Sequence, residues 1–239
     1  MGYHVRVKVC GLTCPGDLHA AARLGADAVG LNFHPPSPRS LTPERAAGLL
    51  AAWPPFVEAV GVFVRQTVHE VRPLLERLGR VRTVQIHGGP HAPADGGPYH
   101  LVPAFAVRDE DDRRAIDRYL EACRAAGRLP AAVLVDGHAP GLHGGTGQVA
   151  PWRLLAGWRP GVPVVLAGGL TPDNVAEAVR VVRPWAVDVA SGVEASPGRK
   201  DEERMRRFID RAREAAWALP LDAGAPTPDY YYGGGQSGP

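Results

Sequence analysis

Lys8 and Cys10 stand two residues apart in Val5-Arg6-Val7-Lys8-Val9-Cys10-Gly11, where valines alternate with charged and sulfur-bearing side chains. A strand has a period of two, so Val5, Val7 and Val9 share one face while Arg6, Lys8 and Cys10 share the other. A cation beside a thiol favours the thiolate, the form that takes protons or attacks carbon. A free cysteine is more commonly a small buried hydrophobe, and this run alone leaves that reading open. A second reactive group, Asp136, closes Leu134-Val135-Asp136 and is followed by a glycine-rich stretch from Gly137 to Gly147. That stretch is long beside the roughly 2–6 residues usual for a strand-to-helix connection. A carboxyl beneath it suits an acid or base under a lid; a turn-forming aspartate is the alternative.

Two further runs suit phosphate. Leu166-Ala167-Gly168-Gly169-Leu170 and Ala190-Ser191-Gly192-Val193-Glu194 each follow an apolar strand pattern. In a barrel of alternating strands and helices, the loops after strands seven and eight form the recurrent phosphate site, through backbone N–H groups. Arg39 is presented by the proline-rich loop Pro35-Pro36-Ser37-Pro38-Arg39 and could fork onto a carboxylate or phosphate. On local grounds it is one loop arginine among many. In Val84-Gln85-Ile86-His87 the alternation puts Gln85 and His87 on one face, so His87 points to the mouth of the barrel. His87 and His91 are four apart, but Gly88, Gly89 and Pro90 forbid the helix that would bring them together. No metal and no organic cofactor are expected.

These groups need a scaffold that aims strand ends at one place. Strand-like runs at Val5–Val9, Ala28–Leu31, Ala59–Val64, Thr83–Ile86, His100–Phe105, Ala132–Asp136, Val164–Ala167 and Ala186–Ala190 alternate with amphipathic segments at Pro15–Leu24, Pro43–Ala52, Val68–Leu78, Asp109–Ala126, Pro151–Ala156, Pro172–Val182 and Asp201–Trp217. Thr42-Pro43 and Thr171-Pro172 each offer a Thr N-cap with Pro at the first helical position. The fourth unit, with Gly88–Pro98 rich in Gly and Pro, has a short helix or none. Eight strand–helix repeats in 239 residues predict an α/β fold, a single-domain (β/α)8 TIM barrel over residues 1–217. Residues 218–239, with no period and three consecutive tyrosines before Gly233, read as a disordered tail.

Composition narrows the setting. Lysine and arginine total 27 against 25 acidic residues, a net charge of +2 that gives no basic footprint for nucleic acid. No apolar run approaches the roughly 20 residues needed to span a bilayer. Three cysteines suit a reducing compartment, so a cytoplasmic protein, monomer or homodimer, is expected. Of the 27 basic residues only Lys8 and Lys200 are lysines. An ammonium is compact and tunable where a guanidinium is broad and always charged.

The ordered set Lys8-Val9-Cys10-Gly11, Pro36-Ser37-Pro38-Arg39-Ser40, Gly61-Val62-Phe63-Val64, Val84-Gln85-Ile86-His87-Gly88, Leu134-Val135-Asp136, Gly144-Gly145-Thr146-Gly147, Ala167-Gly168-Gly169-Leu170 and Asp188-Val189-Ala190-Ser191-Gly192-Val193-Glu194 resembles the phosphoribosylanthranilate isomerase family of tryptophan biosynthesis. The resemblance runs from about residue 5 to residue 215 and continues through Pro197-Gly198-Arg199-Lys200-Asp201. It implies an Amadori rearrangement of N-(5-phosphoribosyl)anthranilate to 1-(2-carboxyphenylamino)-1-deoxyribulose 5-phosphate. In it Cys10 is the general base, Asp136 the general acid, and Arg39 faces the anthranilate carboxylate. Gly168, Gly169, Ser191 and Gly192 take the phosphate; His87 and the lid's Gly145 complete the substrate-binding set. Opening the sugar ring asks Asp136 to be protonated, and a thiol of pKa about 8.5 needs Lys8 or the iminium to help it ionise. Gly147-Gln148 departs from the family's usual Gly-Lys, and Pro35-Pro36-Ser37-Pro38 is unusually rigid. Two rivals remain: a histidine-branch or dual-substrate isomerase, which would carry aspartate where Cys10 stands, and a non-catalytic phosphosugar-binding barrel.

Overall fold

Period-two alternation decides which side chains enter the barrel. In the computed structural model, which describes residues 3–88, 93, 95–137 and 152–220, eight parallel strands close in chain order. They are β1 (Arg6–Cys10), β2 (Ala28–Asn32), β3 (Glu58–Val64), β4 (Thr83–His87), β5 (His100–Ala106), β6 (Val133–Asp136), β7 (Val164–Ala167) and β8 (Ala186–Val189). β8 returns to β1 with Asp188 directly opposite Lys8, which completes the ring. Val7 and Val9 of β1, Val84 and Ile86 of β4, and Val187 and Val189 of β8 are buried in the layer shared with the helices. Their neighbours Lys8, Cys10, Gln85, His87 and Asp188 turn inward, as the alternation requires.

The outer layer is α1 (Pro15–Arg23), α2 (Pro43–Ala51), α3 (Val68–Leu78), α4 (Glu110–Ala125), α5 (Trp152–Leu155), α6 (Val175–Val182) and α7 (Glu202–Trp217). α3 shows why such segments fold: Val68, Val71, Leu75 and Leu78 repeat at helical spacing and are buried. Thr67 and Glu70 cap its start reciprocally, a motif whose loss costs about 1 kcal/mol. Thr42 caps α2 as expected, accepting a hydrogen bond from the Arg45 N–H. The same dipeptide fails at Thr171-Pro172. There the Thr171 hydroxyl accepts from the Asp173 N–H at 3.2 Å and the Asn174 side chain from the Thr171 N–H at 2.8 Å, residues 172–174 form a turn, and α6 begins only at Val175. Among the described residues no helix lies between β4 and β5.

The barrel interior is lined by small side chains: Val60 and Val62 beside Cys10, and Val102, Ala104, Ala132, Val165, Ala167 and Ala186 across from them. Barrel cores are ordinarily filled by bulky branched residues. Here the unfilled space forms two cavities, about 450 Å³ at the carboxyl ends of the strands and about 640 Å³ at the amino ends. Gln85 reaches both, and the Lys8–Asp188 pair stands at the level between them. After β8 comes a three-residue 3-10 turn, Ser191–Val193, and then a small antiparallel hairpin, β9 (Glu194–Ser196) with β10 (Arg199–Lys200). Residue 145 and the rest of the glycine-rich stretch from residue 138, Gln148 included, lie outside the described residues, as does the tail beyond residue 220. Among the described residues no helix is long and apolar enough to cross a membrane.

Candidate active site

Cys10 ends β1 and turns inward, where it packs against Val60, Val62 and Ala190. Its partner in register on β2 is Gly30. A Cβ at residue 30 would lie 2.6 Å from the Cys10 sulfur, so a side chain there and the thiol cannot share the space. Glycine at 30 is thus the local condition for a cysteine at 10. Asp136 ends β6, three strands from β1 one way round the ring and five the other. Cys10 and Asp136 line the same carboxyl-end cavity, together with Asn32, Ser37, Arg39, His87 and the backbone of the loops after β7 and β8.

Those two loops close one end of the cavity. Gly168 and Gly169 have φ of +92° and +63°, in the region that only glycine enters freely. Gly192 faces the opposite loop so closely that a Cβ would sit 1.9 Å from the Leu170 carbonyl oxygen. Asn174 secures the first loop, donating from Nδ2 to the Gly169 carbonyl at 2.9 Å. On the other side, Asn32 organises the arginine loop. Its Oδ1 accepts from the His34 N–H at 2.8 Å and its Nδ2 donates to Ser37 Oγ at 3.3 Å.

The charged groups differ in two respects from the sequence-based expectation. First, Lys8 does not by itself make Cys10 an easy thiolate. Burial pushes the Cys10 thiol up, and the opposing pull of Lys8 and Lys200 leaves it above its ordinary value. Lys8 is also engaged by Asp188, Nζ to Oδ1 at 2.9 Å. Burial disfavours the Lys8 ammonium, but the Asp188 carboxylate outweighs it and the lysine stays charged. Second, Arg39 does not offer its fork to the cavity. Its Nε and Nη2 donate to the two Glu194 oxygens at 2.7 and 2.5 Å. Lys200 Nζ donates to Glu194 Oε1 at 2.9 Å as well. Burial would raise the Glu194 carboxyl; hydrogen bonds and charge from Arg39 and Lys200 overcome it and hold the group below the usual carboxylate range. The cluster holds two cations and one anion, so a positive charge is left over at the cavity edge.

His87 sits beside Gln85, whose amide Nε2 lies 2.7 Å from the ring Nε2. An amide N–H donating there requires an unprotonated Nε2, and burial, then the Lys8 charge, lowers the His87 pKa in the same sense. Among the described residues, no three His, Cys, Asp or Glu side chains gather in a metal-binding cluster.

The structure therefore brings Cys10, Asp136, Arg39, His87, Gly168, Gly169, Ser191 and Gly192 to one cavity. Residue-level reasoning assigned no role to Asp188, Glu194 or Gln85. Asp188 carried the same signal as Lys8, a charge alternating with valines in Ala186-Val187-Asp188-Val189. Glu194 had no comparable mark.

A family model for N-(5'-phosphoribosyl)anthranilate (PRA) isomerase matches residues 7–211. The N-(5'-phosphoribosyl)anthranilate isomerase of Geobacter sulfurreducens is 44% identical over 87% of this chain and 98% of its own length. That of Thiobacillus denitrificans is 46% identical over 87% and 98%. Among solved structures, the phosphoribosyl anthranilate isomerase of Thermotoga maritima superposes with a TM-score of 0.74 at 36% identity, covering 88% of this chain and 99% of that one. A further structure of the enzyme, in complex with reduced 1-(o-carboxyphenylamino)-1-deoxyribulose 5-phosphate, gives 0.71 at 34% identity, covering 88% and 99%. The chain belongs to the N-(5'-phosphoribosyl)anthranilate isomerase family.

Proposed function

We propose that the carboxyl-end cavity carries out the family's isomerisation of N-(5'-phosphoribosyl)anthranilate, with Asp136 as general acid and Cys10 as general base. The observation that carries this reading is the pair itself: one thiol and one carboxyl on separate strand ends lining a single cavity, with two glycine-rich loops beside it. Asp136 protonates the furanose oxygen and the C1–O bond breaks, its electron pair going to that oxygen. The nitrogen lone pair forms an iminium at C1, which acidifies the proton on C2. Cys10 takes that proton, the C–H electrons become the C1–C2 double bond, and the iminium electrons return to nitrogen. The enol then loses its hydroxyl proton, C1 gains one, and the open-chain ketose results. A raised thiol pKa fits this order: the base ionises once a cationic iminium sits beside it. Each proton-transfer group contributes roughly 10²–10⁴ in rate.

The phosphate lies against Gly168, Gly169, Ser191 and Gly192. The anthranilate carboxylate meets the edge of Arg39 that Glu194 leaves exposed, drawn by the surplus positive charge of the Arg39–Glu194–Lys200 cluster. His87, neutral, hydrogen-bonds the open-chain sugar. The test is turnover followed by loss of anthranilate-type fluorescence, with the histidine-branch bisphosphate substrate offered separately. Turnover of the anthranilate substrate alone is the expected outcome. Binding of a reduced product analogue with no turnover would make this a phosphosugar-binding barrel instead.

A further inference from the structure

The chain's 27 basic residues include only two lysines, one near each end, and the fold brings both to the same sulfur. Lys8 precedes Cys10 by two residues on β1. Lys200 arrives from β10, in the hairpin that follows β8 in the chain. The side chains are 7% and 0% exposed. Lys200 Nζ donates to the Ala190 carbonyl at 2.9 Å as well as to Glu194, and Ala190 packs against the small cluster of Cys10, Val60 and Val62. Buried ion pairs are weak devices for stability, because desolvation offsets the attraction. Two of them flanking one thiol, in a chain that otherwise uses arginine, call for a different explanation. A compact ammonium can stand beside a buried sulfur where a broad guanidinium cannot.

We propose that Lys8 and Lys200 are the positioning residues of Cys10, which jointly hold positive charge against the sulfur so that it can release and receive a proton inside the barrel. Every element packed on Cys10 enters the balance. β1 contributes Lys8 and β8 contributes Asp188, which act on the sulfur in opposite senses. β10 contributes Lys200 and the loop after β2 contributes Arg39, against the single carboxylate of Glu194 on β9. β2 and β3 present only Gly30, Val60 and Val62. The surplus cation therefore belongs to the Lys200 side, while Lys8, two residues away on the same face of β1 and bonded to Asp188, is the nearer charge along the strand.

This inference rests on Cys10 being the base, and its test separates the two. Alkylation of Cys10 by iodoacetamide, read on its own peptide by mass spectrometry, follows the thiolate fraction with no need for turnover. Lys200→Met leaves Glu194 paired with Arg39, so no carboxylate is orphaned. In this variant the midpoint of the alkylation profile should move up by about one pH unit, roughly a tenfold slower reaction at pH 7.5. The acidic limb of kcat/KM should move the same way. Lys8→Gln, which keeps a donor to Asp188 without the charge, should shift the profile in the same direction. Unchanged alkylation profiles in variants that melt like the parent would overturn the inference. A shifted profile with an unshifted kcat/KM would uphold the lysines' effect on the sulfur and overturn Cys10 as the base.

Discussion

The barrel has two mouths, and the larger cavity is at the one without the chemistry. At the amino ends of the strands, about 640 Å³ is bounded by Ala28, Val102, Ala132, Val165 and Ala186, with Arg6 stacked over the Trp185 ring at 4.4 Å. Its polar groups are engaged with their own neighbours: Thr83 donates to Glu58 at 2.7 Å, and Asp27 accepts from the Val7 N–H at 2.8 Å. At the carboxyl ends, the smaller cavity gathers a thiol, a carboxyl, an imidazole and two glycine-shaped loops. Parallel strands explain the asymmetry. Every strand ends at one mouth, so eight following loops converge there, and active sites of this fold sit at that face. Volume alone points to the amino-end cavity; convergence of reactive groups points to the carboxyl-end one.

The comparison breaks most visibly at Cys10 and Asp136. Cys10→Ala and Asp136→Asn should each lower kcat by at least about a hundredfold, in line with the usual worth of a proton-transfer group. Product-analogue affinity should hold, because neither side chain carries the phosphate. Steady-state kinetics together with calorimetric titration of the analogue would check both halves. Cys10→Ala with parental kcat would remove the thiol from the mechanism. Next in size is Gly192→Ala. Its methyl group meets backbone at 1.9 Å from the Leu170 oxygen and 3.1 Å from Thr171 Cα, with no flexible side chain to yield. The loops after β7 and β8 must part, and we expect KM to rise about tenfold with kcat much less affected. An unchanged KM would place the phosphate elsewhere in the mouth.

Much of this arrangement is readable along the chain, and the unreadable part has a common cause. The alternation in Val5-Arg6-Val7-Lys8-Val9-Cys10 separates the valine face of β1, packed on the helices, from the inward face of Lys8 and Cys10, because alternation is local. The same holds for Gln85 and His87. What alternation cannot reveal is partnership. Lys8 and Asp188 are 180 residues apart, and Arg39 and Glu194 are 155 apart. Only closure of the ring, β8 onto β1, brings such pairs together. The β9–β10 hairpin has strands of three and two residues, too short for any periodic signal, yet it delivers Lys200. Arg39 is the instructive case. Its type and loop suggested a free fork for an anion, and Glu194 occupies that fork. Thr171-Pro172 shows the limit of a dipeptide signal on a smaller scale: it repeats Thr42-Pro43, yet a turn stands where α2 has its first residues and α6 starts at Val175.

The smallest effect belongs to the other mouth. Ala186 lies two residues before Asp188 on the same inward face of β8 and is 4% exposed. Ala186→Val adds apolar volume to a space that can receive it, with a side chain suited to a strand. Burial of the added carbons favours folding by up to about 1.5 kcal/mol, reduced by whatever adjustment Arg6, its partner in register on β1, must make. The melting temperature should stay level or rise by a few degrees, and kcat/KM should remain within twofold of the parent. Because Ala186 sits directly beneath the Lys8–Asp188 level, this substitution is a stringent test of separation between the two cavities. A tenfold loss of kcat/KM with an intact melting transition would mean that the lower space reaches the thiol through that ion pair, and the two mouths would have to be treated as one site.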